Sequence, residues 1–167
     1  MISAAVLILA LVTLQRLGEL WLSHRNTKRL VAEGAVEHGA GHYALAIGLH
    51  AAWLIALWFL APDEPINWWL LGFYLLIQVA RVWVIASLGR RWTTRIIVLP
   101  DAPLVSRGPY RFVDHPNYLV VALEIAVLPL VFGLIELALL FSVLNGMVLF
   151  IRIRAENAAL RSLRGLA

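Results

Sequence analysis

Long apolar runs alternate with short, mostly basic polar segments along this chain. A helix needs about 20 apolar residues to cross a hydrocarbon core of roughly 30 Å. Windows of that kind fall at about 2–23, 42–61 and 67–88. The run from Tyr118 to Ile151 is long enough for two more helices, and Pro129 and Gly133 place a hairpin break within it. The spans expected there cover about 117–132 and 134–151. The tail Arg152–Ala167 sets arginines among Ile, Ala and Leu, the pattern of an amphipathic helix lying in the interface. The expectation is an all-α polytopic membrane bundle of about five helices, a single domain over 1–167, with a C-terminal amphipathic helix.

Composition agrees with the pattern. The chain is 62% hydrophobic and 14% charged, with a mean hydropathy of +0.83, whereas a soluble domain is closer to half apolar and a quarter charged. No cysteine is present, which excludes a disulfide framework and a thiolate metal site. The start Met-Ile-Ser-Ala-Ala-Val lacks a basic leader region, so the first span is expected to be retained. The sequence pI is about 10.1, but the basic residues lie in loops between apolar runs. They therefore suit lipid headgroups and topology better than nucleic acid. Of 14 Lys and Arg residues, 12 fall on one side of a five-span arrangement, and Ala61–Ile66 opposite has none. The positive-inside bias then puts the N-terminus outside and the basic segments in the cytoplasm.

Polar residues inside the spans recur at one depth. Arg16 and Glu19, His50, Gln78 and Arg81, Glu124, and Asn145 all fall in the cytoplasmic half of their helices. A charged group near the bilayer centre costs at least ~2–3 kcal/mol, so these should face inward and pair. The pairs Arg16/Glu19 and Gln78/Arg81 share helix faces at i,i+3. They read either as interhelical glue or as the lining of a site, with Arg16, Glu19, Arg81 and Asn145 as substrate-binding candidates.

The stretch RGPYRFVDHPNY at 107–118 is the densest polar cluster, and it leads directly into a span. Gly108 and Pro109 supply turn chemistry, and Asp114-His115-Pro116 suits a helix start. Free N–H groups of a first helical turn, flanked by arginines, would receive an anionic group. The alternative is an ordinary interfacial loop anchored by Tyr110, Arg111 and Tyr118. His38 and His42 have helical metal-ligand spacing, but two histidines in a short loop lack the further ligands zinc requires, and no metal site is expected.

GPYRFVDHPNY resembles the G-x-Y-R-x-x-R-H-P-x-Y signature of the isoprenylcysteine carboxyl methyltransferase superfamily. In that family a second block, R-x-x-x-E-E, follows a helical hairpin; here it reads Arg152-Ile-Arg-Ala-Glu156-Asn157. The N-terminal part, QRLGELWLSHRN and GAVEHGAGHY, is similar to a short bacterial branch with members that O-methylate alkylpyrones or alkylresorcinols. The resemblance implies S-adenosylmethionine at the cytoplasmic mouth of the last helices of a bacterial inner-membrane protein. It carries over as cofactor-binding residues Tyr110, Arg111, His115, Pro116, Tyr118, Arg152 and Glu156. Asp114 in place of arginine and Asn157 in place of glutamate depart from the family pattern.

Methyl transfer from a sulfonium is an in-line displacement that needs alignment and exclusion of water more than catalytic side chains. A carboxylate acceptor needs only positioning, whereas a phenolic or enolic hydroxyl gains from a base. Glu124 is the first candidate for base or acceptor anchor, and His50 the second. The expected partner is a membrane-dissolved, lipid-like acceptor. Carboxyl methylation of isoprenylcysteine, phospholipid N-methylation and an NADPH-dependent membrane reductase remain rival readings. A small transporter fits less well, because no span has the Gly/Pro-broken midplane of such proteins.

Overall fold

The computed structural model describes residues 3–100 and 102–161. Five helices follow in chain order: α1 Ala4–Ala32, α2 Ala40–Leu60, α3 Trp68–Leu88, α4 Pro116–Val131 and α5 Ile135–Leu160. Two three-residue strands, β1 Val36–His38 and β2 Ile96–Val98, pair antiparallel with Glu37 opposite Ile97.

Local chemistry sets the helix ends. The Ser3 hydroxyl accepts from the Val6 N–H and starts α1, and the Asn67 carboxamide accepts from Trp69 and Leu70 to start α3. Pro116 occupies the first turn of α4, where a missing N–H costs nothing. The α4–α5 hairpin turns at Gly133, which has φ +72° and so a left-handed backbone that glycine adopts without strain. Ser3 reaches the Pro62 carbonyl, and the Asn67 N–H reaches the Val131 carbonyl. The start of α1, the α2–α3 loop and the α4–α5 turn therefore share one end. The arginine-bearing loops occupy the other, called the basic end below.

Four of the helices are long and apolar enough to cross a membrane. The fifth, α4, has 16 residues, about 24 Å of rise. Ten of those residues are buried, because α4 lies between α3 and α5 at the centre of the bundle. Large apolar side chains such as Leu11, Phe59, Trp69 and Phe150 cover the outside. With no water in hydrocarbon to satisfy them, the backbone groups of such a surface must bond within helices, as they do here. The protein is an all-α integral membrane bundle.

Three sequence expectations change. The first helix does not stop near residue 23 but runs on to Ala32, because a basic run without helix breakers continues it beyond the bilayer and Leu30 finds a buried contact. Arg152 to Leu160 form no separate amphipathic helix but continue α5, and the rest of the expected tail, 162–167, lies outside the described residues, as do Met1 and Ile2. His38 sits in β1 while His42 sits in α2 beyond a left-handed Gly39, so the pair is not one helical face. Among the described residues no cluster of three or more potential metal ligands occurs.

Candidate active site

At the basic end, the chain between α3 and α4 folds back over the helix ends. A single 3₁₀ turn, Gly108–Arg111, packs on α3. Gly108 has φ +61°, and a Cβ there would collide with the Ser87 hydroxyl, so this close approach requires glycine. The Arg107 guanidinium donates to the Ser87 carbonyl at 2.9 Å and fixes the same junction.

This fold-back encloses an open cavity of about 360 Å³. His115, the N-cap residue of α4, stacks on Tyr118 with ring centroids 5.5 Å apart. From α5, the Glu156 carboxylate lies 3.7 Å from His115 Nδ1, and the Asn157 carboxamide is 3.2 Å from His115 Nε2. The two sequence blocks, separated by the hairpin, therefore meet. Asn157, a departure from the family pattern, supplies a neutral partner to the imidazole where a carboxylate would have been a second charge. Tyr110, Tyr118, Arg152 and Glu156 line the cavity with His115. Burial pushes the Tyr110 phenol above its ordinary range, with Glu156 adding to the effect, so it remains a hydrogen-bond donor at neutral pH. Pro116 is buried at the start of α4 and does not itself line the cavity. Arg111 is not brought in: it is solvent-exposed and does not line the cavity, because successive side chains of a 3₁₀ turn point in different directions.

A second cavity of about 270 Å³ lies deeper, among α1, α2, α4 and α5. Its walls are mostly apolar, with Leu17, Ile47 and Leu54 prominent, and Arg16, Glu19, His50, Arg81 and Asn145 supply polar groups. All four substrate-binding candidates thus share one chamber. His50 Nδ1 is 2.9 Å from the Ala46 carbonyl, which assigns the proton to Nδ1 and leaves Nε2 an acceptor with no partner among the described residues. Asn145 is 1% exposed, and its carboxamide oxygen has no partner among the described residues.

Glu124, the first candidate base, does not line this cavity. One of its oxygens accepts from Arg16 at 2.7 Å and Gln78 at 2.8 Å, and the other from Arg81 at 2.6 Å. Glu19 in turn accepts from Arg16 and from two nitrogens of Arg81. Two guanidiniums and two carboxylates neutralise one another in a closed cluster. Such a cluster is stable only when complete, because removing one partner strands a buried charge.

The two cavities share a wall made of Trp92, Asn117, Tyr118 and Arg152. Thr94 organises it. Its carbonyl accepts from Arg152 at 2.7 Å, and its hydroxyl is 2.8 Å from Ser23 and 3.1 Å from Tyr43. Arg95 stacks on Tyr43 at 4.3 Å and pairs with Glu37 at 2.8 Å, fastening the β1–β2 ribbon over the entrance to α2. Sequence reasoning missed Thr94, Trp92 and Asn117. For the first two the one signal was the polar Thr93-Thr94 pair between Trp92 and Arg95, ahead of the Ile-Ile-Val strand, whereas Asn117 stood inside the polar stretch at 107–118.

The model of the isoprenylcysteine carboxyl methyltransferase (ICMT) family matches residues 70–162, from α3 to the end of α5. The chain is 39% identical over 160 residues to the uncharacterized protein YpbQ of Bacillus subtilis, which covers 93% of this chain and 95% of that protein. It is 27% identical over 154 residues to an uncharacterized protein of Haemophilus influenzae, covering 89% and 90% respectively. No solved structure matches.

Proposed function

The chain belongs to the isoprenylcysteine carboxyl methyltransferase family and is an integral membrane methyltransferase; on that premise we propose that it moves a methyl group from S-adenosylmethionine to the hydroxyl of a lipid-like acceptor. The observation that carries the reading is the shared wall: a cavity at the basic end, lined by Tyr110, His115, Arg152 and Glu156, and a deeper, more apolar cavity meet at Trp92, Asn117, Tyr118 and Arg152. A water-soluble donor and a membrane-dissolved acceptor need an arrangement of this kind.

The residues of the outer cavity fit the donor's chemistry. Glu156 offers a carboxylate for an ammonium or ribose hydroxyl, and Arg152, His115 and the Tyr110 phenol offer donors to a carboxylate. The apolar ribbon residues Ile96 and Val98 give an adenine ring a surface. S-Adenosylmethionine, when bound, supplies a methyl group on a sulfonium, so that an oxygen–carbon bond forms as the carbon–sulfur bond breaks and the hydroxyl proton goes to water.

The chain's own part is positioning and electrostatics. Arg152, held by the Thr94 carbonyl, places a cation at the wall, where it favours loss of the acceptor hydroxyl's proton and so supplies the better nucleophile. The inner cavity favours a neutral head. The two intramembrane guanidiniums are matched in charge by Glu19 and Glu124, so an acceptor carboxylate would add an uncompensated negative charge, even though Arg16 Nε is buried without a partner among the described residues. This supports a phenolic or enolic hydroxyl, as in an alkylresorcinol or alkylpyrone, over an isoprenylcysteine carboxylate. Glu124 then acts through Arg16 and Arg81 as organiser of the acceptor chamber. The whole chain works as one domain in a bacterial inner membrane, its donor cavity open to the cytoplasm, as the basic loops indicate.

The test is methyl transfer from radiolabelled S-adenosylmethionine to extracted membrane lipids by the purified protein. The expected product is an ether whose label survives mild alkali. Label released by alkali would mean a carboxyl ester and would overturn the hydroxyl assignment.

A further inference from the structure

Arg152 differs from the other two cations of the inner cavity. Arg16 and Arg81 are each matched by carboxylates. Arg152 is 8% exposed, yet it belongs to none of the ion pairs among the described residues. It donates to the Thr94 carbonyl at 2.7 Å and lies 5.8 Å from the centre of the Tyr118 ring. A buried cation is ordinarily paired, because nothing else replaces the hydration it gave up. Here the place of the anion is open.

The side chain of the same Thr94 holds a second unmatched group. Its hydroxyl is 2.8 Å from Ser23 Oγ and 3.1 Å from the Tyr43 phenol. Three hydroxyls carry three hydrogens, and the two contacts between them use two. The spare hydrogen is not on Ser23. That residue is 3% exposed, its oxygen accepts the Thr94 N–H at 2.8 Å, and among the described residues Thr94 Oγ1 is the acceptor for its own hydrogen. The spare hydrogen therefore belongs to Thr94 or Tyr43, and both line the inner cavity. Thr94 thus joins a free donor at its side chain to an unmatched guanidinium at its carbonyl, beside the wall common to both cavities.

Resting on the methyltransferase reading above, we propose that Ser23, Tyr43, Thr94 and Arg152 form an oxyanion site that ionises the acceptor hydroxyl before the methyl group moves. The acceptor's proton passes to water. The oxygen left behind accepts the spare hydrogen and takes Arg152 as its counter-charge. It then bonds to the methyl carbon as the carbon–sulfur bond breaks, and the ether formed is neutral, so its hold on the site is weaker. The other charged and titratable groups nearby leave this one level positive. Glu19, a turn deeper than Ser23 on α1, is tied to Arg16 and Arg81. His50 lies about two turns deeper than Tyr43 on α2. Tyr118 faces the site from α4, and Arg95, stacked on Tyr43, is matched by Glu37. The acceptor head therefore crosses the chamber neutral and meets net positive charge at Thr94. Thr94 and Tyr43 are catalytic residues that share one hydrogen, and Ser23 is a positioning residue that turns it toward the cavity.

The experiment titrates 4-nitro-3-pentadecylphenol, an amphiphile whose phenolate is coloured, in detergent with and without the full-length protein. The wild type is expected to lower the probe's apparent pKa by at least about one unit, a tenfold gain in the ionised form, because a hydrogen bond and a cation both favour the phenolate. Tyr43→Phe and Thr94→Val each leave one spare hydrogen and should give up less than about threefold of that gain. The double variant leaves none facing the cavity and should give up about tenfold. A merely structural role would not make the double loss exceed the two single losses combined. An unmoved pKa in the wild type, a full shift in the double variant, or a single loss equal to the double one overturns the oxyanion site. So does a probe that fails to bind a protein competent for S-adenosylhomocysteine. A shift abolished by saturating S-adenosylhomocysteine would give Arg152 to the donor's carboxylate and overturn it too. A shift that persists in a protein unable to bind S-adenosylhomocysteine supports the site and overturns the methyltransferase reading instead. If a variant does not fold, the wild-type titration decides alone.

Discussion

The two cavities are built from different parts of the chain by different physics. The outer one comes almost wholly from residues 88 to 160 together with the ribbon, and most of it lies inside the region matched by the family. It is the more polar of the two, and its polar groups sit on loops and helix ends. The inner one takes much of its wall from α1 and α2, at Thr13 to Leu20 and Tyr43 to Leu54, outside that region. Its groups project from mid-helix into an apolar space. On the proposed reading the donor site therefore falls mostly within the family-matched part of the chain, and much of the acceptor chamber falls outside it.

The comparison breaks most sharply at the wall. Arg152→Leu removes the cation that faces both cavities and should lower turnover by on the order of 10³, as loss of a preorganised charge does. The measurement is single-turnover methyl transfer at saturating donor. A loss confined to donor affinity would place Arg152 on the outer side only.

Next comes the charge cluster. Glu124→Leu leaves Arg16 and Arg81 short of a counter-charge and should cost about 3–5 kcal/mol, seen as a lowered thermal midpoint in detergent. Glu124→Gln keeps the shape and a hydrogen-bond acceptor and should cost less. It should also retain S-adenosylhomocysteine binding, since no donor-cavity residue contacts Glu124. Equal destabilisation by both substitutions would mean that shape rather than charge holds the cluster.

Gly108→Ala tests the fold-back over the outer cavity. The added Cβ meets Ser87, and the positive φ adds strain, a combined cost of roughly 1–3 kcal/mol. The expected signature is weaker donor binding with the acceptor chamber intact. The smallest effect belongs to Arg111→Ala, because this arginine is exposed and away from the cavity. Donor affinity should change by less than about twofold, and a large loss would show that the turn rearranges when donor binds.

Much of this was legible in the sequence because hydropathy and turn chemistry are local. The apolar windows located every helix, Pro129 and Gly133 marked the hairpin, and the blocks around His115 and Glu156 pointed to one site. What escaped was non-local. Val36–His38 and Ile96–Val98 pair across about sixty residues, and three-residue strands carry too little alternation to announce a partner. Thr94 matters through its carbonyl and hydroxyl neighbours, none of them adjacent in sequence. Glu124 was expected to face inward and pair, yet it also stood as the first candidate base, because sequence counts charges without saying how many partners each one takes. The end of α1 was misplaced for a simpler reason: apolarity marks where a helix leaves the bilayer, not where it stops.

The partition itself is tested most directly by calorimetric titration of S-adenosylhomocysteine into the wild-type protein, Glu156→Ala and His50→Phe. The account predicts micromolar binding to the wild type, at least tenfold weaker binding to Glu156→Ala and no change in His50→Phe. Absence of binding to the wild type, or equal losses in the two variants, would contradict it.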